Sequence, residues 1–272
     1  MRKSKRGLLV WLLLMAALLA GSLLTGRGAR EESIQTTMRD AVLHDVNQVN
    51  FFGKAVNPGL ISAFTVTAIL LIAAALIRIF VIPKFRYVPG KLQLALEEVV
   101  GLFDRMAKTS SPRMNGFLGA YIFAAGAYIF VGTLFELFGF QAVTTAGHSI
   151  TLPAPLSDVN GAIALGCLSY LIIVSGGVAG NGIRGVGLAL KDFSLPISMS
   201  FRLFGALLSG LLVTELVYYY INLSFVLPVA VGVLFTLLHA LIQSYVLTML
   251  TALYYGEVSE PSPKKKTKKA AA

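Results

Sequence analysis

The stretch ISMSFRLFGALLSGLLVTELVYYYIN, residues 197–222, decides the fold class. It is long and apolar enough to cross a bilayer, whose hydrocarbon core takes about 20 such residues. Yet it carries Arg202 near its start and Glu215 in its second half. A charge at membrane depth costs roughly 2.5–3.5 kcal/mol on insertion scales, so each one needs a reason. Five further apolar blocks accompany it, at 7–25, 59–82, 117–140, 160–177 and 226–254. Apolar residues make up 56% of the chain and charged ones only 13%, against about a quarter charged in soluble domains. The sequence therefore predicts an all-α membrane protein with five or six transmembrane helices.

The net charge of +10 would suggest nucleic acid as partner in a soluble protein. Here the basic residues gather at the ends of apolar blocks, which is a topology signal, and no nucleic-acid partner is expected. Residues 83–116 hold Lys84, Arg86, Lys91, Arg105, Lys108 and Arg113, and read as cytoplasmic. Residues 141–157 hold no Lys or Arg and read as external. Residues 178–195, with Arg184 and Lys191, and the tail PKKKTKK read as cytoplasmic again. Residues 27–55 balance basic against acidic side chains and are external if the blocks alternate. Every loop fits one alternating path with both termini inside, where the basic residues meet anionic lipid.

The remaining segments sort by pattern. Arg2, Lys3, Lys5 and Arg6 before the first block give residues 1–26 the look of a signal segment or a retained anchor. Residues 27–58 form an external segment, 59–256 the membrane domain, and 257–272 a basic, disordered cytoplasmic tail. In VPGKLQLALEEVVGLFDRMAK, residues 88–108, Leu92, Leu94, Leu96, Val99, Val100 and Phe103 recur near helical spacing, with charges largely between them. That predicts an amphipathic helix on the cytoplasmic membrane face. The glycine-rich SGGVAGNGIRGVGLALKD, residues 175–192, lacks the strand that a phosphate loop needs and reads as a flexible turn. Cys167 is the one cysteine, which excludes an internal disulfide.

The titratable and polar groups inside the blocks are the candidate site. They are Arg202 and Glu215 in the fifth block, His239 and Gln243 in the sixth, Glu136 in the third, and Asp158 opening the fourth. Arginine stays protonated whatever its surroundings, so Arg202 is a permanent charge and not a proton carrier. Gly205, Ala206, Ser209 and Gly210 follow it, and small residues let another helix approach closely. If the fifth and sixth helices run antiparallel with Arg202 level with Gln243, His239 falls beside Ala206 and Thr236 beside Ser209. Glu215 lies about 20 Å further along and faces another way, so it is no simple partner for Arg202. Glu215, Glu136, Asp158 and His239 toward the outer half suit a hydrated half-channel.

These residues resemble a known family, subunit a of the membrane sector of F-type ATP synthase. The resemblance covers about residues 50–256 and rests on VPGKLQLALEEVVGLF, PLSDVNGAIALG, SFRLFGALLSG and LIQSYVLTMLTALYYGE, in that order. It implies a stator subunit facing a ring of c subunits, with strongly tilted last helices and no catalysis of its own. It further implies that Arg202 is the essential arginine between two half-channels, with Gln243 its polar partner on the last helix. Glu136 and Asp158 match acidic positions of the family. The c-ring, the subunit b stalk and membrane lipid are the implied partners, with no cofactor and no metal. The implied setting is a bacterial plasma membrane, with protons as the coupling ion and sodium as the alternative.

Three positions depart from the family pattern. Ala206 stands where many members have Asn, Leu211 where many have an acidic or polar residue, and Thr236 where His or Glu is common. Glu215 lies one turn beyond Leu211 and His239 one turn from Gln243, so these two are expected to supply the missing outer-channel groups. A secondary transporter with an intramembrane Arg and Glu is the rival reading. It would move ions without a ring.

Overall fold

A computed structural model gives the architecture. It describes residues 49–51, 54–143, 149–219 and 227–260, with Leu13, Ala16, Ala17 and Ala20 as isolated positions before them. The expected first span, most of the external segment and the tail from Pro261 lie outside the described residues. A short antiparallel pair, β1 (Val49–Phe51) and β2 (Lys54–Val56), precedes helix α1, Pro58–Leu76. Helix α2 is Lys91–Ser110 and α3 is Asn115–Phe135. A second antiparallel pair follows, β3 (Gln141–Val143) and β4 (Ser149–Thr151). The rest is helical: α4 Val159–Asn181, α5 Ile183–Lys191, α6 Leu195–Tyr219 and α7 Leu227–Ser259.

Four of these helices are long and apolar enough to cross a membrane, and five if α5 and α6, bent by 48° at their junction, count as one broken span. Among the described residues this matches five of the six apolar blocks. Helix α1 is apolar all round and leaves its side chains largely uncovered, Leu71 at 66% and Ile72 at 60% exposure. Such a surface is stable only against lipid or another apolar partner. Its end widens into a π turn, Ile77–Val81, closed by the Ile82 N–H on the Ile77 carbonyl. Pro83, which has no N–H to give, sits in the 3-10 turn that follows. Helix α7 has 33 residues, about 50 Å at 1.5 Å per residue, well beyond a hydrocarbon core of about 30 Å. It also runs three residues past the expected start of the tail.

The chain forms two compact units. The first comprises Met1–Leu71, Tyr128–Ala162 and Phe201–Gln243, the second Ile72–Ala127, Ile163–Ser200 and Ser244–Ala272. In the first unit Val66, Phe135 and Leu152 form a buried cluster, with Ile61, Leu70, Tyr128 and Val131 packed on it. Gly139, at φ 61°, ends the turn after α3 in the left-handed conformation that glycine adopts without strain.

The second unit corrects one expectation. The glycine-rich segment is not a flexible turn but the end of α4, a one-residue reversal and helix α5. Gly182 makes the reversal at φ 59°, ψ −138°, a backbone conformation essentially restricted to glycine. Gly177 and Gly185 then bring the two backbones together: a Cβ on Gly177 would sit 2.7 Å from the Gly185 carbonyl oxygen. The Tyr170 hydroxyl donates to the Ala189 carbonyl at 3.0 Å and ties α5 back to α4. The amphipathic helix is present as α2, and Phe103 packs edge-on to Phe123 of α3.

The last turns of α7 are held by a polar knot. Asn181 donates to the carbonyls of Val258 and Glu260 at 2.8 and 3.1 Å. The Glu260 carboxylate accepts from the Ser111 hydroxyl and the Arg113 N–H, each at 3.0 Å. The Ser111 proton being committed there, Ser259 donates to Ser111 at 3.1 Å. A Cβ on Gly256 would collide with the Ser110 carbonyl oxygen, whereas one on Gly187 meets open space. Gly256→Ala should therefore cost about 1–3 kcal/mol of stability through overpacking. Gly187→Ala should be neutral or stabilise by about 0.4–1 kcal/mol. Thermal unfolding of the two purified variants in detergent checks the ordering.

Candidate functional site

All six candidate residues fall in the first unit. The register of α6 decides what Arg202 does. Met199, Leu203 and Leu207 recur at intervals of four and are buried, so they form the packed face. Arg202, Gly205 and Ser209 lie on another face and are exposed. The described ion pairs are Arg105 with Glu98 and Lys108 with Asp104, and Arg202 takes part in neither. No Cβ contact would arise at Gly205 within 4 Å. The arginine thus stands on an open stripe of small residues within a largely apolar helix.

Gln243 is placed differently. It is buried, at 7% exposure, and among the described residues its Oε1 meets no hydrogen-bond donor. No hydrogen bond joins it to Arg202 among those described. Ser244, next in the chain, is fully used, donating to the Gly126 carbonyl at 2.9 Å.

Glu136 and His239, more than a hundred residues apart in sequence, come together. They line one crevice with Thr133, Ala206, Leu207, Gly210 and Thr236. It has room for about one water. The expected register between α6 and α7 therefore holds to within a turn, since His239 faces the Ala206–Gly210 stretch. His239 Nδ1 lies 2.7 Å from the Phe235 carbonyl oxygen, and its ring stacks on Phe235 at 5.8 Å. A carbonyl only accepts, so Nδ1 carries a proton, and Nε2 has no partner among the described residues. The Thr133 hydroxyl donates to the Ile129 carbonyl at 2.7 Å and keeps its oxygen lone pairs as acceptors. Glu136 begins the 3-10 turn Glu136–Phe138, which carries it past the end of α3. Thr133, three residues before Glu136 and hence on the same helical face, is a site member that sequence reasoning missed; that spacing was the available signal.

Asp158 is not in this crevice. Its carboxylate accepts from the Asn160 N–H at 3.2 Å, and its carbonyl takes the Ala162 N–H at 3.1 Å. That is helix N-capping, with the carboxylate at the positive end of α4. Gly59 lies close by, where a Cβ would touch the Asp158 Cβ at 3.0 Å. Glu215 lies in α6, and its side chain is outside the described residues.

A profile of the family described as ATP synthase A chain matches residues 61–256. Among curated relatives, ATP synthase subunit a of two Vibrio cholerae serotype O1 strains is 30% identical over 202 residues, covering 64% of this chain and 74% of theirs. ATP synthase subunit a of Cereibacter sphaeroides is 26% identical over 199 residues, covering 69% of this chain and 76% of its own.

A buried, unpaired amide oxygen costs about 1–3 kcal/mol. Gln243→Leu should therefore raise the thermal unfolding temperature of the purified chain. A fall would show that Oε1 has a partner.

Proposed function

The chain belongs to the ATP synthase A chain family, and on that premise we propose that it is the ion-translocating stator subunit of an F-type ATP synthase. It forms two half-channels against a ring of c subunits and couples proton flow to ATP synthesis, without catalysing a reaction itself. The observation that carries this reading is the exposed Arg202, without an ion pair among the described residues, on a stripe of small residues. A fixed cation in a membrane helix that turns away from its own protein needs an anionic partner brought by another one. A carboxylate on a close-packed ring helix supplies it.

The cycle is electrostatic. An incoming proton neutralises a ring carboxylate, which can then face lipid, where the ionised form would be costly. On return, the guanidinium lowers the carboxylate pKa by Coulomb attraction and favours release into the other half-channel. The same charge repels cations and blocks a direct leak. The outer path runs past Asp158 and Glu215 to the crevice of Glu136 and His239. There a carboxylate, an imidazole Nε2 and threonine oxygens can pass a proton over one water. Gln243 presents its uncommitted amide oxygen to a polar group of the mechanism. The subunit b stalk holds the chain against the ring. The setting is a bacterial plasma membrane with the C-terminus cytoplasmic, an orientation that the Lys and Arg distribution supports.

The test uses membrane vesicles carrying the assembled complex. Arg202→Ala should reduce ion-driven ATP synthesis to background. The Glu136→Gln, His239→Ala double variant should lower it by about 10²-fold or more. Asp158→Asn, which keeps the cap and removes the charge, separates the two roles of that residue: a loss of rate at unchanged stability marks the ion path. The proton reading requires the same wild-type rate with and without sodium. Full activity of Arg202→Ala overturns the proposal.

A further inference from the structure

A cavity lined by cations lies away from this site, in the second unit. It is an open groove of about 600 Å³ between the end of the span Pro58–Lys84 and the start of α2. Three cations line it, Lys84, Arg86 and Lys91, with no carboxylate among the lining residues. Neither described ion pair involves them. Phe80, Phe85 and Leu92 supply apolar wall beside the charges.

The cavity is built into the fold. Gln93 accepts the Arg86 N–H on Oε1 and donates from Nε2 to the Arg86 carbonyl, both at 3.0 Å. Its second Nε2 proton goes to Glu97 at 2.7 Å, which orients that carboxylate one turn further along α2. The turn from Phe85 to Gly90 is thereby clamped onto the helix it precedes. Gly90, at φ −74°, is the cap of α2 and brings no side chain, and the first turn of α2 contains no acid. The first N–H groups of this 20-residue helix add positive potential at the same end.

We propose that this cavity binds the phosphate headgroup of an anionic phospholipid, with the acyl chains running along Phe80 and Leu92. A lipid fits better than a free anion because the charges sit at the end of a membrane span, beside uncovered apolar side chains, Phe80 of that span at 58% and Leu92 of α2 at 60% exposure. Basic side chains at that depth gain from a diester phosphate, and the apolar wall gains only from hydrocarbon. The site depends on membrane embedding and not on the stator reading, so its test involves no ATP synthesis.

The full chain in neutral detergent at low salt is titrated with phosphatidylglycerol, phosphatidylcholine or inorganic phosphate, and bound lipid is counted by native mass spectrometry. Phosphatidylglycerol should bind at one saturable site, phosphatidylcholine at least tenfold more weakly. The Lys84→Gln, Arg86→Gln, Lys91→Gln variant should weaken phosphatidylglycerol binding at least tenfold. Arg184→Gln with Lys191→Gln, which removes charge elsewhere, should leave it unchanged. Gly90→Leu keeps every charge and adds a side chain inside the cavity, where a Cβ would meet open space; it should also weaken binding, which covers the case of a triple variant that does not fold. Equal binding by wild type and Gly90→Leu, equal loss in the Arg184/Lys191 control, or competition by inorganic phosphate at the lipid's own concentration would each overturn the proposal.

Discussion

Everything distinctive about this chain follows from one constraint: a guanidinium inside a membrane helix must be solvated by something other than lipid. The interior could have supplied a carboxylate, as buried arginines usually require. Instead α6 buries Met199, Leu203 and Leu207 and turns Arg202 outward with Gly205 and Ser209. On the proposed reading the charge is left to a partner, and the small residues give that partner's backbone room. Arginine suits the task because no environment here can deprotonate it.

The polar groups of α7 divide along the same line. Thr248 and Thr251 are buried, and each returns its hydroxyl proton to a carbonyl of its own helix at 2.7 or 2.8 Å. Ser244 and Ser259 are likewise matched, to Gly126 and Ser111. These residues hold the fold, and their hydrogen-bonding capacity is spent doing so. Gln243 is the described exception, with a buried oxygen that binds nothing. Structural polar groups are satisfied locally, and a buried one left unmatched costs stability. His239 is intermediate, with one ring nitrogen tied to Phe235 and the other without a partner among the described residues.

How far the sequence could be read depended on the range of the interaction concerned. Span lengths and the amphipathic α2 follow from hydropathy and periodicity, both local properties. The segment 175–192 misled because glycine richness has two meanings. It marks flexibility when nothing packs on it, and close backbone contact when something does. Gly177 against Gly185 is the second case, and only the fold distinguishes them. Asp158 carried a legible capping signal, an aspartate just before a helix, that its place among acidic residues obscured. The meeting of Glu136 with His239 was beyond local reading, since it joins α3 to α7 across more than a hundred residues. The α6–α7 register was legible to within one turn because two adjacent antiparallel helices leave little freedom.

The claim that the Arg202 face meets a ring helix is tested most directly by cross-linking. In a Cys167→Ser background, a cysteine is placed at Gly205, and another, as control, at the lipid-exposed Leu71. Each is paired with a cysteine next to the essential carboxylate of subunit c in the assembled complex. Mild oxidation should give an a–c disulfide from position 205 and none from position 71. No product from position 205, or equal product from both, would contradict the account.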